Sequence, residues 1–218
     1  MLQGVIFDLD GVIVDSHPIH KQAWKTFFCS LGKQVSDDEL VFVLEGNKRD
    51  DILRHFLGEL TDQQLMDYGA RKESLFKHSA NGLRTIDGLM PFLDQIEKEH
   101  MPIALASSAS RSRVHYMLER LHLRGRFRVV ITGDDVIKGK PDPEIFRLTT
   151  DGLAMQPRQV LVCEDSVSGI DAAKKLGMKC LAIAASGRGP ILQAAGADKV
   201  APDFTEINLQ ILRDMFIE

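Results

Sequence analysis

Short apolar runs that break off at polar residues alternate along this chain with stretches where apolar positions recur every three or four residues. Gly4-Val5-Ile6-Phe7 is the first run, and it ends in Asp8-Leu9-Asp10-Gly11, which predicts a buried strand running into a tight turn. The next segment has helical spacing: Ile19, Ala23, Trp24, Phe27, Phe28 and Leu31, with Ser16 as candidate N-cap and Pro18 in the first turn. Ile52, Leu53, Phe56 and Leu57 predict a second helix, and Leu65, Tyr68, Leu75 and Phe76 a third. No strand pattern interrupts residues 16–82. Beyond Gly82 the periods alternate. Strands are expected at Ile103–Ala106, Val129–Ile131, Val160–Cys163 and Cys180–Ile183. Helices are expected through Val114, Met117, Leu118 and Leu121, through Ile145, Phe146 and Leu148, and through Ile170, Ala173 and Leu176, the last closed by Gly177. Continuous apolar strands separated by amphipathic helices imply a mostly parallel sheet covered on both faces. The expectation is an α/β, Rossmann-like core formed by residues 1–15 and 83–218, with residues 16–82 inserted after the first strand as a helical block.

Composition agrees with a folded globular chain: 218 residues, 44% hydrophobic and 27% charged. The formal net charge of −4, with no basic stripe, makes a nucleic-acid or anionic-membrane partner unexpected. The three cysteines, Cys29, Cys163 and Cys180, are far apart and suggest reduced thiols. No apolar stretch reaches the ~18 residues of a membrane span, and no signal-like leader is visible, so a cytoplasmic protein is expected.

Ligands of such sheets bind beyond the carboxyl ends of the strands, and the polar residues collect there. Asp8 and Asp10 follow the first strand, Ser107 the second, Lys140 lies in the loop after the third, and Glu164-Asp165 end the fourth. Taken singly, each has an ordinary structural role: a turn, a strand-end cap, a surface lysine, a helix opener. Together they converge carboxylates on one edge, whose repulsion a hard divalent cation and a lysine relieve. Phosphate is the natural guest of such a site.

Phe7-Asp8-Leu9-Asp10-Gly11-Val12-Ile13-Val14-Asp15-Ser16 resembles the first motif of the haloacid-dehalogenase-like (HAD) superfamily. Ser107 resembles the second, Gly139-Lys140-Pro141-Asp142-Pro143 the third, and Glu164-Asp165-Ser166-Val167-Ser168-Gly169-Ile170 the fourth. The block at 16–82 resembles the superfamily's small helical cap. The resemblance implies Asp8 as nucleophile, Asp10 as general acid and base, Ser107 and Lys140 on the phosphoryl group, and Mg²⁺ held by Asp8, the carbonyl of Asp10, Asp165 and, directly or through water, Glu164. Dehalogenases of the superfamily lack the second aspartate, so Asp10 implies phosphorus chemistry.

Asp15-Ser16-His17-Pro18-Ile19-His20 through Ala23-Trp24 is similar to β-phosphoglucomutases and sugar-phosphate phosphatases, with His20 near the cap hinge. Arg49 stands where the mutases grip a distal phosphate, although Asn47-Lys48 replaces their usual Val-Ser. His55, His78, His100, His115 and His122 fit no metal-ligand spacing. The expected activity is Mg²⁺-dependent phosphoryl transfer from a small phosphorylated metabolite, with hydrolysis of a sugar phosphate preferred. Conversion of β-glucose 1-phosphate to glucose 6-phosphate is the alternative. A receiver-type phospho-aspartate signalling module is the remote one. Such modules are usually about half this length and carry their aspartate on a later strand.

Overall fold

The computed structural model describes residues 1–80, 82–184 and 187–217. Six parallel strands form one sheet: β1 (Gly4–Phe7), β2 (Ile103–Ala106), β3 (Val129–Ile131), β4 (Val160–Glu164), β5 (Lys179–Ile183) and β6 (Lys199–Ala201), in the order β3-β2-β1-β4-β5-β6. Side chains of a strand alternate between faces. Val5 and Phe7 of β1 therefore enter one core cluster with Leu105, Leu161 and Leu181, while Ile6 enters the opposite one with Ala104 and Val162. The first face is covered by α4 (Leu89–Lys98), α5 (Arg111–Arg120) and the C-terminal segment with α9 (Leu209–Asp214). The second is covered by α6 (Glu144–Leu153) and α7 (Val167–Lys175), with α8 (Gly189–Ala194) beside β5 and β6. The expected α/β fold with a buried parallel sheet is borne out.

Between β1 and β2 the chain forms α1 (His17–Cys29), α2 (Arg49–Leu57) and α3 (Asp62–Ser79), with a 3-10 turn at Glu39–Leu44. These helices build a hydrophobic cluster of their own around Trp24, Phe27, Phe28, Leu53 and Phe56. The sequence reading names α1 to α3 but not α4, although Leu89, Phe92, Leu93 and Ile96 line its buried face. It also omits α8, β6 and α9, whose three to six residues are too few for periodicity to register. Cys163 and Cys180 are buried, Cys29 is exposed, and all three are free thiols. Among the described residues, no helix is long and apolar enough to cross a membrane.

Strand order grows outward from β1 in one direction and from β4 in the other, so the crevice between their carboxyl ends is the topological switch point. Phe7, at the end of β1, packs its ring edge-on against Phe92 and at a tilt against Phe204, whose rings stack on each other at 5.2 Å. Phe204→Ala is expected to cost about 3–5 kcal/mol of stability in urea denaturation, because a buried aromatic cluster cannot collapse around the cavity left behind.

Candidate active site

Lys140 reaches from the loop after β3 to the mouth of the switch point, where it is 3% exposed. Its Nζ lies 2.6 Å from Asp8 Oδ1 and also donates to Glu164 Oε1. Asp8 continues β1, its N–H donating to Cys163 O at 3.0 Å, so both carboxylates are anchored to adjacent strands. Glu164 is 0% exposed. Its second oxygen, Oε2, accepts the N–H groups of Asp165 (2.9 Å) and Ser166 (3.0 Å) and the Ser166 hydroxyl (2.9 Å). Ser166 also caps α7, accepting the N–H of Gly169 at 3.1 Å. A Cβ at position 169 would lie 1.9 Å from Glu164 Oε1, so the helix must present glycine there.

Both Glu164 oxygens are thus engaged, one by the lysine and the other by its own turn. Among the described residues no three His, Cys, Asp or Glu side chains are assembled as a metal site. What remains near Asp8 is Asp165, whose Oδ2 is buried without a hydrogen-bond partner. His17 Nε2 lies 2.8 Å from that oxygen, a charge contact without hydrogen-bond alignment. Gly11 turns the chain at φ +77°, and a Cβ there would stand 2.1 Å from the same Oδ2.

Asp8 and Glu164 are two buried carboxylates sharing one ammonium, and the buried Asp165 stands beside them against His17. Burial pushes Asp8 up to about 8; Lys140 opposes this, while Glu164 and Asp165 push it further. Burial likewise raises Asp165. Lys140 is held above its ordinary range by Asp8 and Glu164, against burial.

Asp10 belongs to a different network. Its Oδ1 accepts from Ser16 Oγ (2.6 Å) and His20 Nε2 (3.1 Å), and its Oδ2 from Arg113 Nη2 (2.9 Å). Burial works against its charge, but Arg113 and His20 outweigh it and hold Asp10 well below the usual carboxylate range. Ser16 precedes α1 as expected, yet its hydroxyl serves Asp10 and makes no cap bond. His20 tilts over the Phe76 ring at 4.6 Å, and Lys72 Nζ lies 3.2 Å from its Nδ1. Burial, with Lys72 and Arg113 beside it, drives His20 down to about 3, so the ring is neutral. Ser107 is buried, and its Oγ accepts the N–H of Ala109 at 3.2 Å, the strand-end role open to it from sequence alone. Arg49 opens α2, pairs with Asp50 at 2.9 Å and lies against Gly69.

The helical block closes over these residues. Lys48 Nζ donates to Val136 O at 2.8 Å and Ser108 Oγ to Gly46 O at 2.6 Å. The cavity between them measures about 60 Å³ and is lined by Asp8, Asp10, Ser107 and Asp165 from the core and by Trp24 and Arg49 from the helical block. The structure thus brings Asp8, Asp10, Ser107, Lys140, Glu164, Asp165, His20 and Arg49 to one end of the sheet. It adds Arg113, Lys72, Glu73 and His17, which sequence reasoning missed. A signal for two of them was present: Lys72 and Glu73 fall on the same helical face as Leu65, Gly69 and Phe76.

The chain matches the family model described as haloacid dehalogenase-like hydrolase over residues 5–183, and it belongs to that family. It is 30% identical over 190 residues to the phosphorylated carbohydrates phosphatase of Thermotoga maritima, covering 82% of this chain and 83% of that one. It is 30% identical over 226 residues to the beta-phosphoglucomutase of Bacillus subtilis, covering 98% and 95%. Among solved structures it is similar to a HAD hydrolase of family IA, variant 3, from Entamoeba histolytica, with a TM-score of 0.88, 26% identity and 99% of each chain covered. The protein is a HAD-like enzyme of the phosphatase and phosphomutase type.

Removing the lysine isolates two buried carboxylates. Lys140→Met is expected to lose about 3–5 kcal/mol at neutral pH. Unpaired, Asp8, already raised by burial, takes up a proton more readily folded than unfolded. The variant should therefore regain stability as pH falls, measured as urea midpoints from about pH 8 to about pH 5.

Proposed function

We propose that this enzyme hydrolyses a small sugar monophosphate through an aspartyl phosphate on Asp8, with magnesium as cofactor. The observation that carries the reading is the division of labour between two aspartates two residues apart. Asp8 sits with Lys140 at the switch point, while Asp10 is held by Arg113, Ser16 and His20 on the side of the helical block.

An Asp8 carboxylate oxygen attacks phosphorus in line. The new bond is Asp8 O–P, and the P–O bond to the sugar breaks. Lys140 and Ser107 donate to the phosphoryl oxygens as charge moves onto them. Asp10 delivers a proton to the departing sugar oxygen, then takes one from the water that attacks the aspartyl phosphate, releasing inorganic phosphate and restoring Asp8. Before it can deliver a proton, Asp10 must loosen its hold on Arg113 and on the α1 donors. Opening of the helical block withdraws His20, whereas Arg113, carried by α5 of the core, stays with Asp10 and must be displaced by the substrate. Residues 16–82 thereby act as a cap over a core of 1–15 and 83–218. A cavity of about 60 Å³ is too small for a sugar phosphate, so the cap must also open to admit substrate.

The residues fit magnesium. Asp8 and Asp165 offer buried hard oxygens, one of them without a hydrogen-bond partner, and Asp10 adds its carbonyl. Magnesium is held by one or two carboxylates and keeps several waters. When bound, the ion supplies charge neutralisation to the phosphoryl oxygens. Mutase activity is the second reading, favoured by Arg49 on the cavity wall. Against it, the Arg49 guanidinium is already paired with Asp50.

The deciding experiment measures phosphate release from a panel of sugar phosphates and, in parallel, glucose 6-phosphate formation from β-glucose 1-phosphate primed with the bisphosphate. Release is expected to dominate, to vanish in Asp8→Asn, to fall about 10²–10⁴-fold in Asp10→Asn, and to change only a few-fold in Arg49→Ala. Dominant isomerisation that collapses in Arg49→Ala would reverse the two readings. Wild-type rates in Asp8→Asn would end both.

Proton linkage gives an independent check. With Asp8 raised from 3.8 to about 8, its own contribution to metal-free stability is full below the lower value and is lost as pH rises through the higher. Magnesium competes with that proton. Its affinity, measured by calorimetry, should weaken by up to about tenfold per unit as pH drops below about 8.

A further inference from the structure

Glu73 plays no part in the phosphoryl chemistry, yet it lines the same cavity as Asp8. It lies on α3, and the residue is 9% exposed. Its Oε1 is 3.5 Å from Lys72 Nζ, while its Oε2 is buried with no hydrogen-bond partner. Burial opposes the charge, but Arg113 and Lys72 outweigh it, and Glu73 stays below its ordinary range. Glu73, Arg49 and Ser110 line both the inner cavity and a larger open cleft of about 610 Å³ between α3 and the start of α5. These three side chains therefore stand where the cavity meets the cleft. A leaving group that extends from Asp8 through this junction into the larger cleft passes them.

The chemistry at that junction is selective. A carboxylate oxygen only accepts hydrogen bonds, so Oε2 calls for an O–H or N–H donor. A cationic donor would meet Lys72, Arg113 and Arg49, all lining the same cavity. A second phosphate or carboxylate would meet Glu73 itself, and the cations lining the cavity are already engaged: Arg49 by Asp50, Arg113 by Asp10, Lys72 by His20 and Glu73. A neutral hydroxyl meets neither obstacle. Arg113 Nε, also buried and without a partner, offers a donor to the oxygen of such a hydroxyl.

We propose that Glu73 is a specificity-determining residue that accepts a hydrogen bond from a hydroxyl of the leaving group and turns away substrates carrying a second anionic group at that end. This deepens the phosphatase reading and rests on it. The substrate class is then a neutral polyhydroxy monophosphate.

The test compares wild type and Glu73→Gln on a hexose monophosphate, the matching bisphosphate and p-nitrophenyl phosphate, whose leaving group offers no aliphatic hydroxyl. Wild type should favour the monophosphate over the bisphosphate by at least about tenfold in kcat/KM. Loss of a hydrogen bond to a charged group is worth about 10- to 100-fold. Glu73→Gln should therefore lose about that much on the monophosphate, mainly through KM, and gain relative activity on the bisphosphate. On p-nitrophenyl phosphate it should stay within about threefold. Equal losses on the monophosphate and on p-nitrophenyl phosphate would reveal a merely structural role and overturn the proposal, as would an unmoved KM. If Glu73→Gln does not fold, the wild-type ratio decides alone, and equal use of monophosphate and bisphosphate overturns it. A wild type that releases phosphate from none of the three fells the phosphatase reading and this inference together. A wild type that is active and selective only in ways Glu73→Gln leaves untouched fells this inference alone.

Discussion

The buried ammonium of Lys140, held between Asp8 and Glu164, is the interaction around which the rest of the site is built. Two carboxylates on adjacent parallel strands would repel each other strongly inside a low-dielectric crevice, and a single lysine from a third loop makes their proximity tolerable. Its demands spread outward. Glu164 must point inward, so the turn into α7 supplies two N–H groups and a hydroxyl to its other oxygen. That arrangement leaves no room for a Cβ at Gly169. Asp165 stands beside Glu164 with a buried oxygen that meets only His17, at 2.8 Å and without hydrogen-bond alignment. A site strained in this sense is suited to a phosphate accompanied by a cation.

The second constraint is the separation of Asp8 from Asp10. Successive residues on either side of a tight turn point into different environments, and here the difference is chemical. Asp8 shares its lysine with another carboxylate and is pushed toward neutrality by burial. Asp10 is surrounded by donors and kept charged. Paired acids whose environments drive their proton affinities apart are the usual arrangement for dividing nucleophilic from acid–base work. The donors to Asp10 come from both sides of the cavity, Ser16 and His20 from the start of the helical block and Arg113 from α5. Asp10 is thus held jointly by the helical block and by the core.

Much of this was legible before any coordinates. Strand identity followed from apolar runs such as Val5-Ile6-Phe7 and Val160-Leu161-Val162-Cys163, because a strand buried on both faces needs no polar residue until it leaves the sheet. For the same reason Asp8, Ser107 and Glu164 could be placed at the site as the first polar side chains after each run. The helix α4 was not named although its periodicity is plain in Leu89, Phe92, Leu93 and Ile96, and the short elements near the C-terminus were below the length at which periodicity speaks. His20 packs on Phe76, which lies 56 positions away in sequence and reaches it only when α3 folds beside α1.

By itself, then, the sequence determined the sheet, the inserted helices, and which polar residues gather at the strand ends, because all of these depend on local periodicity and on where an apolar run stops. Only the tertiary structure decided the pairings. Arg113 meets Asp10 across 103 positions and Lys140 meets Asp8 across 132. Whether Lys72 and Glu73 are a solvated pair or the wall of a cavity depends on how the helical block docks on the sheet. No local pattern encodes that docking, because it is set by the packing of two separate hydrophobic clusters against a shared, charged seam.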